Sequence, residues 1–212
     1  MHEKQYLERH GTPCVINRDV PVQARVSLKH STRGTNFGLR ESAFEGWIDT
    51  LIATGETFTA GSYTYLIHAL DALSDAYEFT ARKCNSLITL LTLTVTEDEY
   101  GNMIQTFTEI VEDLNCYGQI VTASLRETDP GLLHTTTRVY TIPDVGLKIL
   151  DRLIHKCTQQ QVIDLGVVYD STYQGARFKV DCIDDILIPG LIRVQVSPDM
   201  RETEAESCTK TS

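Results

Sequence analysis

Short segments rich in Val, Ile, Thr, Tyr and Phe follow one another along the chain from residue 22 onward, separated by Gly, Asn, Asp and Ser. β-Branched and aromatic residues favour extended backbone, and small polar residues favour turns. Strands are predicted at 22–29, 42–48, 57–59, 63–70, 77–83 and 87–96 in the first half, and at 103–111, 116–125, 135–142, 161–169, 177–183 and 191–196 in the second. The chain is therefore expected to be mainly β.

Two segments show helical features. Residues 2–10 contain good helix formers, and the following Gly11 and Pro13 are typical of a helix end, so a short N-terminal helix over 2–10 is predicted. The apolar residues of 147–157 also have helical spacing, but a strand with a bulge fits them equally well.

Strict alternation supports the strand predicted near residue 180, because apolar and charged residues change places at every step. Three side chains are expected to point into a core: Phe178, Val180 and Cys182. Three are expected to point to solvent: Arg177, Lys179 and Asp181. A strand that is buried on one face only is predicted.

The two halves share short similar stretches, which indicates an internal duplication. Three pairs of segments align without gaps: 65–71 with 178–184, 26–29 with 123–126, and 43–44 with 139–140. Their different offsets require an insertion in the second copy between about residues 151 and 175. Chance similarity between strand-rich segments is the alternative explanation.

These patterns predict two tandem, related, small β-barrel or β-sandwich domains. The Thr-rich stretch that ends at Thr96 runs into a polar turn, and the domain boundary is placed there. The N-terminal domain would then span 1–100 and the C-terminal domain 101–198. Residues 199–212 are polar and without periodicity, so a disordered tail is expected.

Charge and cysteine usage narrow the classes of function. The chain has 19 Lys and Arg against 29 Asp and Glu, a formal net charge of -10. Tight binding to nucleic acid is not expected, because it depends on cations that neutralise phosphates. The six cysteines are dispersed and form no C-x-x-C pair, so they are interpreted as buried small apolar residues and not as zinc ligands or disulfides.

Targeting signals are also missing from the sequence. The longest apolar runs are too short to span a bilayer, so no membrane contact is predicted. The N-terminal residues lack the charged and apolar regions of a signal peptide. Synthesis in the cytosol is expected.

The sequence lacks the motifs that indicate a known catalytic mechanism, namely G-x-S-x-G, G-x-x-x-x-G-K-[ST], H-E-x-x-H and G-x-G-x-x-G. Its six histidines do not have the spacing of metal ligands. Asp181, Asp184 and Asp185 suggest a metal site, but acids at the end of a strand are more often solvated. No catalytic residue, metal or cofactor is predicted, and the chain is not expected to be an enzyme.

Three loops are candidate interaction sites, because loops on a rigid β scaffold commonly carry recognition residues. The candidate residues are Lys29, His30, Arg33 and Asn36 in loop 29–38; Glu127, Asp129 and His134 in loop 127–134; and Tyr169, Asp170, Tyr173 and Gln174 in loop 169–175.

Residues 151–154, 176–184 and 189–196 read D-R-L-I, A-R-F-K-V-D-C-I-D and P-G-L-I-R-V-Q-V. This succession resembles the closing hairpins of the head-completion, or stopper, proteins of tailed bacteriophages. In that family a D-R-I step precedes a strand of the form Y-K-V-D-x-I-D, a Pro-Gly turn and a last strand. Residues 55–58 and 63–67 look like a diverged version of the same pattern.

The resemblance implies a structural virion protein of the phage neck, assembled in the host cytoplasm. Such proteins form rings, here of six or twelve copies, between the portal or adaptor and the tail-terminator proteins. They close the channel after packaging, and genomic DNA passes through them without sequence-specific binding. This chain is about twice the usual single-barrel length. The alternatives are another tail-completion or tail-tube β-protein, and an enzyme with an unrecognised site.

Overall fold

The computed structural model describes residues 3–31 and 43–201, and begins with a helix that packs on the first of two β-barrels. Helix α1, Glu3–His10, confirms the predicted N-terminal helix. Leu7 on this helix is fully buried, and the Tyr6 ring meets the Trp47 ring edge to face, with 6.0 Å between ring centroids. The helix therefore covers part of the outer surface of the first barrel.

The first barrel is a closed sheet of six antiparallel strands in the order β1-β2-β3-β6-β5-β4. Its strands are β1 Thr12–Ile16, β2 Val22–His30, β3 Ala43–Ile48, β4 Thr57–Ala60, β5 Tyr63–Ala72 and β6 Tyr77–Lys83. Pairing of β1 with β4 closes the sheet. Apolar side chains, among them Ile16, Val26, Ile48, Phe58 and Phe79, fill the interior.

The second barrel closes in the same way, through pairing of β10 with both β7 and β12. Its elements are β7 Ser86–Glu97, β8 Met103–Ile120, α2 Ala123–Thr128, β9 Arg138–Pro143, β10 Arg152–Lys156, α3 Gln159–Leu165, β11 Tyr169–Asp170, β12 Gly175–Ile188 and β13 Leu191–Pro198. The two-residue strand β11 is added to the start of β12. The predicted pair of tandem β-barrels with an N-terminal helix is therefore confirmed.

Both barrels have the same connectivity. When the six strands of each barrel are numbered along the chain, leaving out the short β11, neighbouring strands around each barrel follow the order 1-2-3-6-5-4. The aligned stretches 65–71 and 178–184 lie on β5 and β12, the fifth strand of each barrel. Each stretch contains a bulge at the same alignment position, His68 in one and Asp181 in the other. This part of the predicted duplication holds in position and in register.

The other two alignments are wrong. The strand pairing shows that residues 26–29, which lie opposite β3, correspond to residues 116–119, which lie opposite β9. The predicted partners of 26–29, residues 123–126, belong instead to helix α2. Residues 43–44 and 139–140 lie on equivalent strands. Their pairing with the sixth strand of each barrel, however, shows that 139–140 correspond to 45–46. Few side-chain identities fix these alignments. The second is off by two residues, a shift that preserves the alternation of faces, whereas the first is off by seven.

The predicted insertion in the second copy is present. A turn of residues 61–62 joins β4 to β5 in the first barrel. The equivalent connection in the second barrel spans residues 157–174 and contains α3 and β11. The strand predicted at 161–169 is wrong, because Thr158 and Gln161 form a capping box that starts α3. Residues 152–156 form strand β10 and not a helix.

The chain passes from one barrel to the other at residues 84–85, since β6 ends at Lys83 and β7 begins at Ser86. The boundary predicted at residue 100 lies in the β7–β8 hairpin, whose two strands pair with each other. At the other end of the second barrel, Asp199 is buried against it, with 1% of its surface exposed. Asp199 belongs to the predicted tail 199–212, and residues 202–212 of that tail lie outside the described residues.

The alternation predicted at 177–182 holds only in part. Phe178 and Val180 lie in the core of the second barrel as expected. After the bulge at Asp181 the faces exchange, so that Ile183 packs against the core in the place expected for Cys182. Arg177, expected in solvent, is buried and pairs with Asp170 over 2.8 Å. A bulge inserts one residue and reverses the direction of the following side chains.

A buried polar cluster occupies part of the second barrel. The Tyr140 hydroxyl lies 3.1 Å from Nδ1 of His155, and the Arg138 guanidinium lies 3.5 Å from Nε2 of the same ring. Burial, together with the charge of Arg138, lowers the pKa of His155 to about 4. Burial likewise lowers the pKa of His68 in the first barrel to about 4. Both imidazoles are therefore neutral at pH 7.

The stability of the protein is expected to fall as the pH decreases from about 6.5 to 4. An unfolded histidine titrates near pH 6.5, so in this range the unfolded chain binds more protons than the folded one. His155→Gln keeps a hydrogen-bonding partner for Tyr140 and should remove the contribution of this histidine to the pH dependence, about 3 kcal/mol. Urea unfolding at a series of pH values measures this, and a pH slope unchanged in the variant would contradict it.

Candidate functional site

The first predicted loop begins at the end of β2. Lys29 and His30 are exposed there; the Lys29 ammonium lies 3.5 Å from a carboxylate oxygen of Glu45, and the His30 ring packs on Phe44 with centroids 4.5 Å apart. Arg33 and Asn36 lie outside the described residues. The contacts of Lys29 and His30 are made within the first barrel.

The second predicted loop, 127–134, begins with the last two residues of α2. It lies in the β8–β9 connection, which is equivalent to the β2–β3 connection of the first barrel. Glu127 and His134 are exposed. Asp129 is half-buried, pairs with Arg193 on β13, and accepts a hydrogen bond from the Gly131 amide. Asp129 therefore fixes the loop to the barrel, while Glu127 and His134 remain accessible.

The third predicted loop joins β11 to β12. Asp170 is buried, pairs with Arg177, and accepts hydrogen bonds from the amides of Thr172 and Tyr173, so it stabilises the loop. Tyr169 packs against the core, and Gln174 is exposed with a left-handed φ of 54°. By strand direction, the second and third loops lie at one end of the second barrel, where β8 and β10 end.

A feature that the sequence analysis missed leaves the other end of this barrel. Residues 92–97 of β7 and 103–108 of β8 pair with each other and, among the described residues, with no third strand. Residues 94–97 are exposed at every position, so both faces of the ribbon are in contact with solvent. We call residues 92–108 the arm. Its six residues of β7 extend about 20 Å at roughly 3.4 Å per residue.

A buried charge cluster holds the base of the arm. Phe107 of the arm lies against the Arg152 guanidinium, 3.7 Å from the ring centroid, and Arg201 approaches the same ring at 5.2 Å. Nε of Arg152 donates to Asp199 over 2.8 Å, and both side chains are at most 1% exposed. Cation–π contact and a water-excluded ion pair together fix where the arm leaves the barrel.

A second anchor comes from Asp151. Its Oδ1 accepts hydrogen bonds from the Leu93 amide at 2.9 Å and the Thr92 hydroxyl at 3.1 Å. Its Oδ2 accepts from the Lys148 amide at 2.7 Å. The first residues of the arm are therefore tied to the loop before β10.

The surroundings at the base of the arm favour the charged forms of Asp199 and Arg152. Burial acts to raise the pKa of Asp199, but hydrogen bonds from Arg201 and Arg152 outweigh it, so the pKa lies below its ordinary value. Burial lowers the pKa of Arg152, and the hydrogen bond to Asp199 opposes this effect. Since arginine remains protonated in proteins, the pair is ionic at neutral pH.

The tip of the arm is an acidic turn with exposed apolar side chains. Asp98 accepts hydrogen bonds from the amides of Tyr100 and Asn102, each at 2.8 Å, and so shapes the turn. Tyr100 is 87% exposed and Met103 is 70% exposed. The turn also carries Glu97 and Glu99, so it combines carboxylates with apolar contact surface.

The arm exposes strand edges along its length and carboxylates with apolar side chains at its tip. Among the described residues, no group of three His, Cys, Asp or Glu side chains is placed to hold a metal ion. No helix in the same ranges is long and apolar enough to cross a membrane. The sequence signal for the arm was the polar turn at 98–101 between two Thr-rich strands, which marks a hairpin as well as a domain boundary.

Comparison of the chain with protein-family models, curated proteins and solved structures gives no match.

Proposed function

We propose that the protein is a structural assembly subunit that forms a closed ring through its arm, in the neck of a tailed bacteriophage virion. The proposal is based on one observation: the arm is a β-ribbon with two open edges, and its buried base fixes it to one of two closed barrels. Open edges pair readily with strands of other chains, whereas closed barrels have none to offer. The arm is thus the natural site of contact between copies.

The composition of the arm supports an edge-to-edge contact. Natural edge strands are usually protected by charged residues or proline. Residues 92–96 and 103–108 contain neither; they are Thr, Leu, Val, Met, Ile, Gln and Phe. Charges appear only in the tip and again from Glu109 onward. An unprotected edge of this kind favours pairing with a partner strand.

The two edges belong to different strands, which favours a ring. Pairing the β7 edge of one copy with the β8 edge of the next is a heterologous contact, and such contacts close into rings when the rotation between copies permits. Each copy then contributes two strands to a barrel shared by all copies. The outer edges of the arm are then paired with strands of the neighbouring copies.

The size of the shared barrel distinguishes six copies from twelve. With a strand spacing of about 4.8 Å and a tilt near 40°, twelve strands give a backbone diameter of roughly 24 Å, and twenty-four strands roughly 48 Å. Inward side chains occupy about 10 Å of this width. Only the ring of twelve, with roughly 38 Å left, admits a DNA duplex, whereas the roughly 14 Å left in a ring of six is too narrow for one.

The assignment to a phage neck rests on the resemblance of residues 151–196 to stopper proteins, and the arm fits it. A ring in that position contacts the portal or adaptor on one side and tail-terminator proteins on the other, after assembly in the host cytoplasm. Glu97, Asp98 and Glu99 would place carboxylates at the opening of the channel. Like charges repel phosphates, so DNA passes without being held.

Shortening the arm tests this proposal. Replacing residues 94–106 with Asn-Gly joins Leu93 to Phe107, which face each other in the hairpin, and keeps the buried base. We expect phage that carry this change to produce heads that leak DNA or lack tails, as gene deletion would. Electron microscopy of the particles measures the outcome, and intact tailed virions from either strain would contradict the proposal.

A matched control distinguishes the contribution of the strand edges from that of the tip. Tyr100→Ser removes the most exposed apolar side chain of the turn but leaves both edges unchanged. This variant should yield intact virions. Purified shortened protein should unfold at the same urea concentration as the full-length chain, which shows that loss of assembly does not come from misfolding.

A further inference from the structure

A cavity of about 340 Å³ lies between the two barrels. Its wall combines His68 and Arg82 of the first barrel with Tyr117, Gln119 and Thr141 of the second. Pockets that bind small molecules have volumes of about 300–1,000 Å³ and occur preferentially where domains meet. The cavity therefore has the size and position of a small-molecule site.

Arg82 supplies an available positive charge in this wall. Its guanidinium lies over the Tyr117 ring, 4.8 Å from the centroid. Burial lowers the pKa of Arg82, and Arg193 across the cavity lowers it further. Within residues 3–31 and 43–201, no carboxylate pairs with Arg82. Arg193 differs, because Asp129 pairs with it.

His68 supplies a polar group beside Arg82. The Nε2 atom of His68 is enclosed by protein and has no hydrogen-bond partner in the described part of the chain. A buried polar atom without a partner costs about 1–3 kcal/mol, which a ligand oxygen would recover. His68 is also the bulged residue of β5, so the bulge is what sets its position in the wall.

The rest of the cavity wall contains both apolar and acidic side chains. Leu125, Val139 and Ile192 provide apolar surface, while Asp129 and Asp184 provide carboxylates. Asp129 is neutralised by Arg193, and Asp184 faces Arg193 across the β12–β13 pair. The side of the cavity near Arg82 and His68 is thus the side suited to a negative group, and the apolar side chains suit an uncharged body.

We propose that this inter-barrel cavity binds a small organic anion, whose carboxylate or phosphate is held by Arg82 and His68 and whose apolar body packs on Leu125, Val139 and Ile192. A ligand with both parts uses the Arg82 guanidinium, the Nε2 atom of His68 and the apolar wall together. The site is independent of the arm and of the ring that the arm forms.

Isothermal titration calorimetry on the full chain tests the site with four probes: phenyl phosphate, benzoate, inorganic phosphate and benzyl alcohol. Phenyl phosphate or benzoate should bind, and the tighter of the two identifies the acidic group. Inorganic phosphate, without an apolar body, and benzyl alcohol, without a charge, should each bind at least about tenfold more weakly. Equal binding of either of these two, or no heat from any probe at millimolar concentration, would overturn the proposal.

Variants connect the binding to the wall. Arg82→Leu should weaken binding by about 10–100-fold, the usual effect of a lost charge-assisted hydrogen bond, and Arg82→Lys should restore part of it. Arg9→Leu on α1 removes an exposed arginine of the same barrel and should change nothing. Thr128→Trp fills the cavity from its exposed rim without altering Arg82, and should also abolish binding. Unchanged affinity in both Arg82→Leu and Thr128→Trp would refute the site.

Discussion

Replacing Asp199 with alanine is expected to lower the free energy of unfolding by about 3–5 kcal/mol. Asp199 is 1% exposed and accepts hydrogen bonds from Arg152 and Arg201. Without it, the Arg152 guanidinium, which is fully buried, would lose its counter-charge. An uncompensated buried charge is among the costliest defects in a folded protein. Urea denaturation followed by circular dichroism measures the change.

The other member of the pair should behave differently. Arg152→Leu leaves Asp199 paired with Arg201, whose Nε lies 2.8 Å from its carboxylate, and puts an apolar side chain against Phe107. We expect this change to cost no more than about 2 kcal/mol, because Arg201 remains as the counter-charge of Asp199 and no unpaired charge is left buried. Glu112→Ala, which removes an exposed partner of Lys156, is the control and should cost about 0–1 kcal/mol.

Acid should weaken the ion pair between Asp199 and Arg152. The pKa of folded Asp199 lies below its ordinary value, so the unfolded chain takes up a proton at this position first. The contribution of Asp199 is therefore complete above the ordinary aspartate range and is lost as the pH falls through its lowered pKa. Equal costs for Asp199→Ala and Arg152→Leu would show that the charge pairing assigned here is wrong.

Phe79→Ala is expected to destabilise the first barrel by about 3–5 kcal/mol. Phe79 on β6 faces Gly46 on β3, and its ring covers the glycine, because a Cβ at residue 46 would lie 3.3 Å from the ring. The neighbouring strand is also too close for a side chain there, because a Cβ at residue 46 would clash with the carbonyl oxygen of Ser27. Removal of the ring therefore leaves a cavity that residue 46 cannot fill.

The second barrel provides the matched comparison. At the equivalent pair the sizes are exchanged, with Tyr140 on the third strand and Val194 on the sixth. Val194→Ala removes a smaller group beside a large ring and should cost about 2 kcal/mol. The single tryptophan, Trp47, lies on β3, so its fluorescence reports the first barrel directly. Similar costs for the two variants would contradict the size exchange.

The barrel pair was predictable from the sequence because its signals are local. Alternation and turn residues mark most strands, and the gapless match of 65–71 with 178–184 carries the bulge of each barrel. Closure was not predictable, since pairing of β1 with β4 or of β7 with β10 joins distant segments. A barrel and a sandwich have the same alternation, and only these long-range pairs distinguish them.

The arm and its base were missed for two physical reasons. A polar turn such as 98–101 has the same composition in a long hairpin and in a linker, so the hairpin was interpreted as a boundary. The buried charges at its base come from positions 47 residues apart, Arg152 and Asp199. Each alone is typical of solvent-exposed surface, and only the folded chain brings them together.

Because the strands of the arm pair with no other strand within residues 3–31 and 43–201, the arm can change length while both barrels keep their register. The changes that preserve function come in steps: adding one residue to each strand turns every side chain beyond it to the opposite face, and adding two restores the original faces. Natural variants of this protein should therefore differ in arm length by even numbers of residues per strand. The same rule makes the arm a suitable place to graft a foreign recognition peptide onto a stable carrier.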